Sequence, residues 1–327
     1  MIPRYLAAAI SVGVAVALTI LFYEVPSDPV DLSGTYDTAT LTPLERPSEF
    51  GSQLEVSPTS STGRRFSQAA AERPASFAAE SDDRGDEYLQ IDGMFRTSLI
   101  TWPENGRLPE FTSHGEARFR ANLEKIRDST FTEDVWWLDD PAGPYDGPED
   151  RPLEERCLLD GAGSAGPPAL PARHNNIKRI IQTEDSVLIV NEMIHDARIV
   201  RLNSTHLPPE IRKWMGDSIG WWEDGTLVVE TTNFREETGL FMAGEDLRVV
   251  ERFQRIDDQT LLYRFRVEEP AIWRDGWEGE YLWHSTSGLM YEYACHEGNY
   301  SLPGILKGAR ESEKRALGKR HPGSAPH

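Results

Sequence analysis

From Ile177 to Ser285 the chain is a succession of short apolar runs, each closed by a turn signal. "IKRIIQ", "SVLIVNEM" and "ARIVRL" are parted by brief polar turns. "WWEDGTLVVETTNF" places Asp224-Gly225 between aromatic and β-branched residues, and "LRVVERFQR" meets "TLLYRFRVEE" across Asp257-Asp258. "EGEYLWHS" and "LMYEYACH" are joined by Thr286 to Leu289. Runs of this length and alternation read as strands, and the Asp-Gly pair is a hairpin signature. Successive hairpins with brief helices predict a mainly β fold, an antiparallel barrel or sandwich of lipocalin-like type. "YLQIDGMFRTSLITW" adds strand-like residues on either side of Gly93. Two segments read as helices. Ser113 and Glu116 form a capping-box pattern ahead of Phe119, Leu123 and Ile126, and "SLPGILKGARESEKRALGK" follows the last strand signal.

The N-terminus sets the expected location. Arg4 precedes an uncharged run from Leu6 to Tyr23, long enough for a bilayer-crossing helix of about 17–25 residues. The run ends in Leu21-Phe22-Tyr23-Glu24, a poor cleavage site, so residues 1–24 read as a signal anchor rather than a cleaved signal peptide. Either reading exports the rest of the chain. The anchor reading leaves Arg4 inside and the globular part in the periplasm or outside the cell, attached to the inner membrane. Residues 25–84 read as a mostly flexible tether, rich in Ser, Ala, Pro and charge, apart from a strand-like piece between Asp31 and Pro47. A β-rich domain follows over residues 85–313, then a tail over 314–327. A formal net charge of −20 argues against a nucleic-acid partner, since no basic patch is present to displace counterions. The two cysteines, Cys157 and Cys295, fit one disulfide in an oxidising compartment, and no CxxC is present.

The sequence lacks the nucleophile elbow, P-loop, Rossmann glycines, HExxH and EF-hand patterns. Three polar clusters remain. In "NEMIHDAR", strand alternation would put Glu192, Asp196 and Arg198 on one face and turn His195 toward the apolar residues as a general acid–base. The alternative is a turn with solvated charges. In "WMGDSIGWWEDG", Trp214, Trp221 and Trp222 offer aromatic walls around Asp217, with Asn233 beyond them, as a ligand platform or as core packing. In "CHEGN", a strand over Tyr291 to Ala294 would carry His296 and Glu297 to the rim of the cavity that receives His195 and Asp217. The alternative is a capped strand end with a solvated Glu297. No spacing demands a metal, and neither metal nor cofactor is expected.

Seven segments, among them "NEMIHDARIVRLN", "WMGDSIGWWEDGTLVVETTNF" and "YEYACHEGNYSLPGILKGARESE", together resemble a family of uncharacterised exported bacterial proteins, over about Asp31 to Glu313. The chain departs from that family's pattern at Tyr36, where a Trp is usual, and at Trp221, where an Arg or similar residue is usual. The resemblance implies an exported, strand-rich, plausibly lipocalin-like barrel. It directs attention to His195, Asp196, Arg198, Asp217, Glu230, Asn233, His296, Glu297 and Asn299. Three functions stay open: a membrane-tethered binder of a small apolar or aromatic ligand, an enzyme using a His–carboxylate pair, and a structural envelope protein.

Overall fold

Strand pairing follows the turn signals. The computed structural model describes residues 29–65, 85–129, 147–160, 166–238, 240 and 243–320. In it β6 (Ile177–Gln182), β7 (Ser186–Asn191) and β8 (Ala197–Leu202) pair antiparallel in chain order. So do β9 (Asp217–Glu223), β10 (Thr226–Thr232), β11 (Arg248–Asp257), β12 (Thr260–Glu268) and β13 (Trp277–Ser285). At the β9–β10 turn Asp224 and Gly225 have φ of 47° and 76°, the left-handed pair that a type I′ hairpin requires. β1 (Gly34–Asp37) lies antiparallel between β13 and β6 and closes the sheet into a barrel of nine strands. β5 (Ile100–Trp102) pairs outside the ring with β13, and β2 (Glu55–Val56), β4 (Met94–Arg96) and β3 (Gln90–Ile91) form a small second sheet.

The closed ring differs from a lipocalin's eight alternating strands. Directions cannot alternate all the way round an odd ring, so one neighbouring pair must run parallel. That pair is β8–β9, with Val200 opposite Ser218 and Leu202 opposite Gly220. A parallel pair needs a long return connection, and residues 203–216 supply it.

The interior is packed. Tyr36, Phe253, Tyr263, Phe265, Trp277, Tyr281 and Trp283 point inward and are at most 3% exposed. Tyr263 stands 5.0 Å from both Phe253 and Trp283 and 5.3 Å from Tyr281, centroid to centroid. Residues 167–170 enter the same interior, where the Ala169 N–H donates to the Tyr263 hydroxyl (2.9 Å) and the Tyr281 hydroxyl donates to the Ala169 carbonyl (3.0 Å). Two charges are buried with the rings. Arg198 donates to both oxygens of Glu251 at 2.6 Å each, and the Tyr263 hydroxyl donates to Glu251 at 2.7 Å. Burial, then the Glu251 carboxylate, raises the Tyr263 phenol well above its usual pKa.

Residues 31–57, assigned mostly to the tether by composition, supply β1 and β2 and bury Leu32, Tyr36, Phe50 and Val56. Both expected helices form, over Ser113–Ser129 and Ser301–Arg320. The Leu6–Tyr23 segment lies outside the described residues, among which no helix is long and apolar enough to cross a membrane.

Two local expectations change. The stretch 286–294 is irregular rather than a strand. The barrel is already closed by β1, with Tyr36 opposite Ser285, so the chain beyond Ser285 finds no free edge there. "NEMIHDAR" is a reversal rather than a strand. Ile194 and His195 have φ of 53° and 56°, and the strand begins only at Ala197. Arg198 therefore enters the barrel while His195 is left exposed outside.

Candidate functional site

The Cys157–Cys295 bridge forms as expected and joins two distant pieces of chain. One is the turn carrying Glu154 and Glu155. The other is the one-turn helix Cys295–Gly298, which leads into the C-terminal helix. Between them lies an open groove of about 370 Å³, walled by Glu154, Glu155, Tyr293, Asn299, Leu302 and Ile305 around the two cysteines. Asn299 spans it. Its Nδ2 donates to the Glu155 carbonyl (2.7 Å), and its Oδ1 accepts from the Leu302 N–H (3.2 Å) at the start of the C-terminal helix. The Glu155 carboxylate is held by Arg151, whose Nε and Nη2 each donate to it at 2.8 Å.

The irregular run before Cys295 is fixed by side chains in place of a sheet. The Tyr291 N–H donates to Glu192 Oε1 (3.0 Å), and the Tyr293 N–H donates to His195 Nε2 (2.7 Å). His195 thus positions a groove residue. Because Nε2 accepts there, the neutral ring carries its proton on Nδ1, and Nε2 is not free to act as a base. His296 and Glu297 sit on the one-turn helix, exposed and outside the groove wall. The structure brings His195 to Tyr293, and it does not gather His195, Asp217, His296 and Glu297 into one cavity.

Asp196 lies apart from its neighbour His195. Burial, together with the Asp160 carboxylate, pushes it up to about 7, against a hydrogen bond from the Asp160 backbone and the charge of Lys178. Lys178, inside the barrel beside Asn191 (2.9 Å), is brought down to about 7 by burial. Sequence reasoning passed over Lys178 and Glu251, yet parity marks both. Lys178 shares a strand face with Ile180, and Glu251 shares one with Val249 and Phe253.

Asp217 anchors the long β8–β9 connection. It is fully buried and accepts from Arg201 (2.9 and 3.0 Å), Lys213 (3.1 Å) and the Leu207 N–H (3.0 Å). Burial opposes its charge, but these donors and His206 outweigh burial and hold it well below the usual carboxylate range. His206 stands between Asp217 and Glu230, with one ring nitrogen 3.2 Å from each. Asn233 closes the same clamp by donating to the Leu207 (2.9 Å) and Pro208 (3.2 Å) carbonyls. Asp217 and Asn233 are therefore structural braces and no part of the groove wall.

The three tryptophans do not share a wall. Trp222 points into the barrel core, and Trp221 points out and donates to Glu223 (2.6 Å). Trp214 packs with Leu153 and Leu159 beneath the Arg235 guanidinium, 4.2 Å from the ring centroid. Among the described residues no group of three or more His, Cys, Asp and Glu is placed to hold a metal ion.

No family model, curated protein or solved structure matches this chain. The site is therefore read from its own geometry.

Proposed function

We propose that this chain is an exported, membrane-anchored binding protein that takes a small ligand in the groove beside the Cys157–Cys295 bridge. The observation that carries the reading is the groove itself. Its volume of about 370 Å³ falls within the roughly 300–1,000 Å³ of small-molecule sites. It pairs a tyrosine and aliphatic wall with a few polar groups. The barrel acts as a scaffold, because its interior, where a lipocalin would hold its ligand, is filled by aromatic side chains and residues 167–170. Anchoring rests on the Leu6–Tyr23 run, and export on that run together with a disulfide suited to an oxidising space. The enzyme reading loses its base, since His195 Nε2 is engaged by a backbone amide.

A thermal-shift screen of small aromatic and amphipathic compounds tests the reading, run in parallel on the protein and on Ile305→Trp, which fills the groove. A hit should raise Tm in the protein and fail to do so in the variant. Equal shifts in both, or no hit at all, would refute the groove. Location is tested separately by membrane fractionation with protease added to spheroplasts. A protein protected in the cytoplasm would refute export.

A further inference from the structure

We infer that the groove is built for an organic cation, an amine or quaternary ammonium carried on an apolar or aromatic body. This rests on the groove reading above and names its ligand class. The charges on the wall are all of one sign: Glu154 and Glu155 line it, and no Lys, Arg or His does. The nearest cation, Arg151, is buried behind the wall with its guanidinium turned onto Glu155. The positive end of the Ser301–Arg320 helix also faces the groove through Ser301 and Leu302. That end is worth only about half a charge, and Asn299 Oδ1 already takes the Leu302 N–H. Two carboxylates outweigh it. The chain's formal net charge of −20 adds a field that concentrates cations at the surface and repels anions.

The apolar part of the wall suits the rest of such a ligand. Tyr293 presents an aromatic ring, and a cation close to a ring face is attracted to it. Leu302 and Ile305, one turn apart on the C-terminal helix, offer aliphatic surface for the body. Tyr300, 84% exposed between the wall residues Asn299 and Ser301, extends the aromatic surface at the mouth.

The test uses the full-length protein in detergent and three probes that share one body: 2-phenylethylamine, 2-phenylethanol and phenylacetate. Binding is read by calorimetry and by NMR of Tyr-labelled protein. The amine should bind at least tenfold more tightly than the alcohol, with the carboxylate weakest. High salt should narrow the gap. Glu154→Gln should weaken the amine about tenfold and leave the alcohol unchanged, while Glu154→Asp should keep the order. If alcohol or carboxylate binds as tightly as the amine and Ile305→Trp abolishes that binding, the cation inference is wrong and the groove reading stands. If binding survives Ile305→Trp, or none of the probes binds, both fall.

Discussion

Arg198→Met strands Glu251 inside the barrel. The wild-type pair is almost fully withdrawn from water, with Arg198 5% and Glu251 0% exposed, and it is joined by two bonds of 2.6 Å. Removing one partner of such a pair costs about 3–5 kcal/mol. The Tyr263 hydroxyl still donates to Glu251, which places the expected loss near the lower figure, about 3 kcal/mol at pH 8. The stranded carboxyl has lost its guanidinium and keeps its burial, so its folded pKa rises above the unfolded value. The penalty is then full at pH above the folded value and shrinks as protonation neutralises the group toward pH 5. The double variant Arg198→Met/Glu251→Leu removes both charges and leaves only the Tyr263 hydroxyl short of an acceptor, at about 1 kcal/mol. Urea unfolding followed by tryptophan fluorescence at pH 8 and pH 5 measures all three proteins. A single-variant loss under about 1 kcal/mol, or a double variant as unstable as the single, would refute the reasoning.

Two further outcomes follow from the bridge and the clamp. The disulfide spans 138 positions, so Cys157→Ser/Cys295→Ser should lower stability by up to about 5 kcal/mol on the chain-entropy model; two free thiols titrated in denaturant from protein isolated without reductant would refute the bridge. Asp217 has a depressed folded pKa, so its contribution is fully present above the ordinary carboxylate range and is lost as pH falls through the folded value; Asp217→Asn should flatten that acid-side loss and speed hydrogen exchange in residues 203–216, and unchanged exchange there would show that the clamp does not hold the connection.

Most of the barrel was legible because turn chemistry and alternation agree. Asp224-Gly225 marks its hairpin, and β6 to β13 fall within apolar runs visible in the sequence. Closure was less legible. Gly34–Asp37 is a four-residue strand in a polar neighbourhood, and nothing local says that it will lie between β6 and β13. The parallel pair follows from the odd strand count, a property of the whole ring that no single segment carries. The groove was half legible. The cysteine pair and the tyrosines around Cys295 pointed to it, but Glu154 and Glu155 reach it only through the bridge. His195 was singled out for the wrong reason, because "NEMIHDAR" alternates like a strand while its backbone reverses at Ile194 and His195. Trp221 and Trp222 share a cluster in sequence and are parted by the strand's own period of two.

The closing strand also governs the order of assembly. β1 leaves the ribosome first among the barrel strands, yet one of its two neighbours, β13, is the last to be made. Tyr36 must wait for Ser285 before the ring is complete, so the nascent barrel carries open edges through most of synthesis. Contacts that distant in sequence make for slow folding, and the interval before closure is when the chain is most open to pairing with the wrong strand. A copy ending before Trp277 would lack both β13 and Cys295, losing the ring and the bridge together.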